Sequence, residues 1–312
     1  MRMERKIRIG TRGSKLALVQ AGLIKNAIFE KHKVDCELVK IKTTGDKIID
    51  SPLAKIGGKG LFVKEIEESL KRGEIDIAVH SMKDVPIELK EGLKIAAITE
   101  REDPRDVLIS RNGEKLSELN SPKIGTSSLR RQVQLKRILK NATIENLRGN
   151  LDTRIRKLKE GKYDVIVVAA AGLKRLGFIN SATEFLSPEI IIPAIGQGSL
   201  GIEAREEDRE VIDLVKFLDH NKSNIEITAE RAFLKKLEGG CQVPIAAFAE
   251  LKDRTLKITG MVSDLEGKRV LKASRTGAPE NAKAIGTELA EELLNAGARE
   301  ILQEIYGREL TS

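Results

Sequence analysis

Arginine recurs in this 312-residue chain where the pattern turns from strand to helix. Arg12 sits in Gly10-Thr11-Arg12-Gly13-Ser14, between an apolar run and a helical one. Gly125-Thr126-Ser127-Ser128-Leu129-Arg130-Arg131 repeats the arrangement, with three hydroxyl residues ahead of two arginines. Arg148 follows another short strand in Leu147-Arg148-Gly149-Asn150, and Arg154 lies one helical turn further on. Guanidinium forks hold carboxylates bidentately, which an ammonium does not. Free N–H groups at a helix start favour anions, so an arginine placed there opposes the helix dipole unless a negative group lies between them. These residues therefore suit the gripping of an acidic ligand. Lys136, Lys140 and Lys157 lack that placement and read as solvated surface.

A second group sets an acid beside a base. His80-Ser81-Met82-Lys83-Asp84-Val85-Pro86 follows a strand-like run and puts Asp84 next to Lys83. Taken alone, an Asp there is more often a cap or turn residue. Residues 55–62, KIGGKGLF, approach a helix through glycines, but no Gly-Lys-Ser/Thr closes them. The phosphate-loop pattern fails, which leaves a loop carrying Lys55 and Lys59. Cys241 stands in Glu238-Gly239-Gly240-Cys241-Gln242-Val243-Pro244, where glycines permit close approach to the chain. On its residues alone it reads as a small buried apolar group, a description that Cys36 fits well. Three histidines with no Cys/His cluster argue against zinc.

The elements that must position these residues follow from periodicity. Strand-like Ile7 to Gly10 leads through a turn to a helix with Ser14 as its N-cap. Strand 37–42, helix 61–70 and strand 75–79 continue the alternation. After the charged stretch 100–105 a second series runs through strand 107–110, helix 128–139, strand 143–145, helix 151–159 and strand 164–169. Such alternation predicts open α/β sheets. Residues 190–198, IIIPAIGQG, read as a crossing segment, after which 200–204 is expected to return as a strand to the first unit. An acidic helix follows to about residue 218. Beyond it a helix 225–237, three strands in a meander and a closing helix 282–294 predict a small α+β domain.

Composition bounds the rest. A chain of this length is expected to form two or three domains. The formal charge is +8, and residues 121–180 hold 14 Lys and Arg against 4 Asp and Glu, whereas residues 199–250 hold 7 against 11. An anionic partner is implied. Aromatics at 3% with no Trp are too few for a single-strand stacking platform. The longest apolar run, Val165 to Leu173, is too short to span a bilayer. Two distant cysteines make no secreted disulfide framework, and the N-terminus has no apolar signal region. A cytoplasmic location is expected.

TRGSKLAL, PLAKIGGKGLFVKEIE, DIAVHSMKDVP, EREDPRD, IGTSSLRRQ, LRGN with TRIRKL, AAAGLKRLG, PAIGQG, LEGGCQVPIAA and ELLNAGAREIL stand in this order along nearly the whole chain. Together they closely resemble the hydroxymethylbilane synthases, also called porphobilinogen deaminases. The resemblance implies two α/β lobes like those of periplasmic binding proteins, joined by hinged crossings, plus a small α+β C-terminal domain. Their expected bounds are 1–99 with 200–219, then 100–199, then 220–312. It implies a transferase of tetrapyrrole (haem and porphyrin) biosynthesis that joins four porphobilinogen units head to tail, with release of ammonia. The units extend a dipyrromethane primer held through a thioether.

By motif matching, the cysteine of that thioether is Cys241, against the inert reading of the residue alone. The same matching makes Asp84 the catalytic acid. It stabilises the cationic pyrrole formed when ammonia leaves, and it passes protons at deamination and at the final loss of the α-hydrogen. Lys83, Asp84, Ser128, Arg130 and Arg131 are matched to cofactor binding. Arg12, Ser14, Arg148, Arg154 and Arg175 are matched to the acetate and propionate groups of the substrate. Lys55 and Lys59 are matched to a loop over the cleft, and Phe62 to the growing chain. The implied partner is the small molecule porphobilinogen, with no metal, nucleic acid or membrane, and the protein is expected to be a monomer. Two other readings are a binding protein that captures a small acid without chemistry and a nucleic-acid binder. The first leaves Cys241 unmodified, and the second requires affinity that falls steeply with salt.

Overall fold

The computed structural model describes residues 6–47, 63–240 and 243–310. Within them the strands are β1 (Ile7–Arg12), β2 (Cys36–Ile41), β3 (Ile77–Ser81), β4 (Leu93–Ile98), β5 (Asp106–Ser110), β6 (Lys123–Gly125) and β7 (Thr143–Glu145). They continue with β8 (Val165–Ala169), β9 (Glu184–Leu186), β10 (Leu200–Arg205), β11 (Ile245–Lys252), β12 (Thr255–Ser263) and β13 (Val270–Gly277). Two compact units result. One takes the described residues up to 102 with 198–224, and the other takes 103–197 with the described residues from 225 on.

The sheet of the first unit runs β2-β1-β3-β10-β4, and the larger sheet of the second runs β7-β6-β8-β5-β9. In the first, β1 is parallel to β2 and β3, while β10 is antiparallel to β3 and β4. In the second, β6 is parallel to β7 and β8, while β5 is antiparallel to β8 and β9. One plan is thus wired in two ways. The antiparallel strand next to the edge arrives last in the first sheet and first in the second, as the expected return of residues 200–204 requires.

The helix Lys15–His32 shows how local sequence sets the first unit. Ser14 is extended and its Oγ accepts from the Ala17 N–H at 3.3 Å, satisfying one of the orphan donors of the first turn. Ala21, Ile24 and Ile28 recur at helical spacing and bury against Ile7, Ile9, Ile77, Val79, Ile202 and Ala204. The other sheet face receives Ile66 and Leu70 from the helix Lys64–Lys71. In the second unit both faces of the sheet are also covered, so β8 reads as the unbroken apolar run VIVVA.

The second unit also holds the meander β11-β12-β13, packed on the helices Asn221–Lys236 and Ala282–Leu293 around Phe233, Ile258 and Leu289. Glu230, wholly buried, accepts from the Gly196 N–H at 2.7 Å and from the Ala249 N–H at 2.8 Å. The crossing segment is thereby tied to β11. Among the elements beyond the sequence reading are β4, β6, β9, the helices Thr44–Lys47 and Ala170–Arg175, and a final helix, Arg299–Tyr306. β6 and β9 have three residues each, too few for a period to register, and LKIAAI in β4 does not alternate.

Gly198 begins the stretch that leads into β10. Its φ of +106° lies where residues with a Cβ are strained, and a Cβ there would come within 2.2 Å of the Glu102 carbonyl oxygen. Gly198→Ala is therefore expected to destabilise the protein by about 1–3 kcal/mol, read as a lower urea midpoint with unchanged slope. An unchanged midpoint would mean that the two backbones separate at no cost.

Candidate active site

β3 ends at Ser81, and a single 3₁₀ turn, Met82–Asp84, redirects the chain. Met82 is the buried pivot of that turn, which leaves Lys83 and Asp84 exposed beyond the sheet edge. A cavity of about 60 Å³ opens there, lined among others by Arg12, Ser14, Gln20, His80, Ser81 and Asp84. Arg12 is the last residue of β1, and Ser14 caps the helix behind it. The first unit thus brings Arg12, Ser14 and Asp84 to one opening at the end of the parallel strands β1 and β3, where open α/β sheets bind ligands. The Gln20 amide donates to Ser81 Oγ at 3.0 Å. His80 Nε2 lies 2.9 Å from Glu203 Oε2 within the sheet face.

In the second unit the helix Leu129–Ile138 starts at Ser128, whose hydroxyl makes no capping bond. Arg130 and Arg131 are buried, and the anion their position demands is the chain's own Asp106 at the start of β5. Arg130 Nη1 and Nη2 reach the two carboxylate oxygens at 2.6 and 3.1 Å, and Arg131 Nη2 reaches one at 2.7 Å. Gln197 from the crossing segment donates to the same carboxylate at 2.9 Å and accepts from Arg130 at 3.2 Å. Burial alone would raise the Asp106 carboxyl. The charges of Arg130 and Arg131 and their hydrogen bonds overcome that and hold it far below the usual carboxylate range.

Two guanidiniums against one carboxylate leave an enclosed excess of positive charge. Arg131 Nε is buried and has no hydrogen-bond partner among the described residues. Nearby loops are braced by main-chain acceptors: Ser127 Oγ donates to the Leu147 carbonyl, Lys157 to that of Arg148, and Arg154 Nε to that of Gly149. Arg175 closes the helix Ala170–Arg175, at the end where its charge suits the dipole. Lys55, Lys59, Phe62 and Cys241 lie outside the described residues.

Residues 7–213 match the family described as porphobilinogen deaminase, dipyromethane cofactor binding domain, and residues 224–295 match the porphobilinogen deaminase C-terminal domain. The chain belongs to the porphobilinogen deaminase family. A porphobilinogen deaminase of Syntrophobacter fumaroxidans is 52% identical over 97% of this chain and 99% of its own. One of Nitratidesulfovibrio vulgaris is 54% identical over 96% of both chains. Among solved structures, immunogenic lipoprotein A from Vibrio vulnificus aligns with a TM-score of 0.42 at 17% identity, covering 70% of this chain and 96% of that one.

The cofactor of a porphobilinogen deaminase is a dipyrromethane, whose side chains are carboxylates. The residues present fit such a group, because the Arg130–Arg131 pair keeps a net positive charge and a buried, unpartnered N–H after Asp106 is counted. Sequence reasoning about this deaminase missed Gln20, Asp106, Gln197 and Glu203. Gln20 did give a signal, since it interrupts the apolar face formed by Ala17, Ala21 and Ile24. Of the two cysteines, Cys36 is free and buried, and burial pushes its thiol up to about 11. Among the described residues no helix is long and apolar enough to cross a membrane, and no cluster of His, Cys, Asp or Glu could hold a metal.

Proposed function

We propose that this chain condenses four porphobilinogen units stepwise to hydroxymethylbilane, with Asp84 as its catalytic carboxylate and Cys241 as the anchor of the dipyrromethane. The observation that carries this reading is the placing of Asp84 with Arg12 and Ser14 at one opening at the end of β1 and β3. When bound, the dipyrromethane supplies the nucleophilic α-carbon of a terminal pyrrole. The Asp84 carboxylate offsets the positive charge that develops on a porphobilinogen ring as the C–N bond breaks and ammonia departs. A fixed charge of this kind favours the transition state over the ground state.

Arg12 and Ser14 orient the carboxylate side chains of the incoming ring, so that attack takes place from a fixed position. Lys83, Ser128, Arg130 and Arg131 hold the primer, while Arg148, Arg154 and Arg175 take the acetates and propionates of the lengthening chain. Lys55, Lys59 and Phe62 complete the set. The basic excess of residues 121–180 serves a polycarboxylate in this reading. We place the protein in the cytoplasm as a monomer, with residues 220–312 as the domain that carries the cofactor.

Intact-protein mass spectrometry tests the reading. Chain from cells that make porphobilinogen is expected to be heavier than its sequence by a two-pyrrole group, and Cys241→Ser is expected to have the plain mass and no ammonia release. A wild-type chain of unmodified mass that binds porphobilinogen without consuming it would establish the binding-protein reading instead.

A further inference from the structure

Beneath the opening, the sheet face under the helix Lys64–Lys71 holds three buried titratable groups to which the reading above gives no task. Register places Gly201 opposite His80 and Glu203 opposite Ala78, so on these antiparallel strands His80 and Glu203 share one face. Their side chains are 4% and 0% exposed, and Nε2 meets Oε2 at 2.9 Å. Glu67 comes down from the helix Lys64–Lys71 and is also buried. Its carboxyl is shifted up, first by burial and then by the charge of Glu203, against the opposing pull of Lys90 and His80. Glu203 Oε1 is buried without a hydrogen-bond partner among the described residues.

A wholly buried carboxylate with one oxygen on an imidazole and the other unpartnered is costly for a sheet that elsewhere packs isoleucine and leucine. Purely structural needs would be met by an apolar residue at either position. The arrangement is that of a histidine whose ring is fixed by an acid behind it. The carboxylate accepts from Nε2–H, which leaves Nδ1 as the proton-accepting nitrogen on a residue that lines the cavity with Asp84 and Arg12. Among the described residues no side chain or main-chain group hydrogen-bonds to Nδ1.

We propose that His80, held by Glu203, is a second proton-transfer residue of the site, accepting the α-hydrogen that the new C–C bond displaces. This rests on the porphobilinogen deaminase reading. The substrate's aminomethyl group, an ammonium at neutral pH, leaves as ammonia when its C–N bond breaks with the electron pair going to nitrogen, and the terminal pyrrole α-carbon would then bond to the cationic methylene carbon so formed. That α-carbon gives up its hydrogen as a proton, and the C–H electron pair returns to the ring. The proton goes to His80 Nδ1 and from there to the ammonia, which departs as ammonium. No other reactant is required. In this division of labour the α-proton that the family resemblance assigns to Asp84 goes to His80 instead, which leaves Asp84 anionic to meet each new cation.

The test uses His80→Gln, which retains an N–H for Glu203 and removes the accepting nitrogen, in cofactor-loaded protein of verified mass. The expected result is a kcat lower by on the order of 10²-fold with KM little changed. A primary isotope effect with α-deuterated porphobilinogen, larger than that of the wild type, is also expected. Independently of turnover, imidazole ¹⁵N spectra are readable because the chain has only three histidines. They are expected to show His80 as the Nε2–H tautomer in the wild type and to lose that signature in Glu203→Gln. Wild-type kcat, a lowered kcat with an unchanged isotope effect, or an Nδ1–H tautomer would each overturn the assignment. If His80→Gln does not fold, the spectra of wild type and Glu203→Gln decide. A wild type that releases no ammonia sinks the enzyme reading itself, whatever the spectra show.

Discussion

Asp84→Asn is expected to fold normally, carry its cofactor and turn over about 10²–10³-fold more slowly than the wild type. The side chain projects from an exposed 3₁₀ turn whose anchor is Met82, so replacing it by a neutral residue of the same shape disturbs no packing. Stability is expected to change by no more than about 0.5 kcal/mol, as at other exposed positions. In the proposed mechanism the loss belongs to the transition state, where the carboxylate meets the positive ring that the departing ammonia leaves behind. It is therefore expected in kcat and kcat/KM together, with KM little changed. Single-turnover release of ammonia and the urea midpoint, measured on one preparation, check both parts. Near-normal bilane formation by Asp84→Asn would remove Asp84 from the mechanism, and a large fall in stability would make it a structural residue.

Asp106→Ala is expected to produce the largest loss of stability from a single residue in the second unit, about 3–5 kcal/mol. Its carboxylate is the shared acceptor for Arg130, Arg131 and Gln197, all buried, and its removal strands two guanidiniums in the interior. Because the folded-state carboxyl is held far below its unfolded value, its contribution is complete at any pH above the ordinary carboxylate range of about 4. It is lost only as pH falls further, toward the folded-state value. The gap in urea stability between wild type and Asp106→Ala is thus expected to be the same at pH 7 and pH 5. A gap that stays constant as pH falls below about 4 would show that the carboxyl titrates alike in the folded and unfolded states and that the pairing is weak.

The two substitutions separate what could be read in the chain from what could not. Arginines at the start of a helix require an anion, and that requirement was legible in Gly125 to Arg131. Its first answer, Asp106, was not, because it lies in the densely charged stretch Glu100 to Asp106, where no residue type marks one carboxylate from its neighbours. Only the pairing of β5 with β8 and β9 buries that position. Asp84 could be located beside a strand end because apolar Ile75 to Val79 stops just before it. The dyad of His80 and Glu203 was out of reach, since its members are 123 residues apart and meet through an antiparallel register that local periodicity does not encode. Most strands and helices were recoverable because buried faces impose a period, while the three-residue strands were too short to show one.

The late arrival of β10 has a consequence for how the protein is made. A ribosome that has finished β4 has produced four of the five strands of the first sheet, but β3 and β4 are neighbours only through β10. Roughly 100 residues separate Ile98 from Arg205, and at about 5–20 residues per second the open sheet waits on the order of 5–20 s for its missing strand. The second sheet, whose strands are contiguous in the chain, is completed within that interval. During synthesis the sheet nearest the N-terminus therefore closes second. Until then it exposes unpaired edges on β3 and β4, the kind of surface that chaperones bind and that fragments ending before residue 200 would expose permanently.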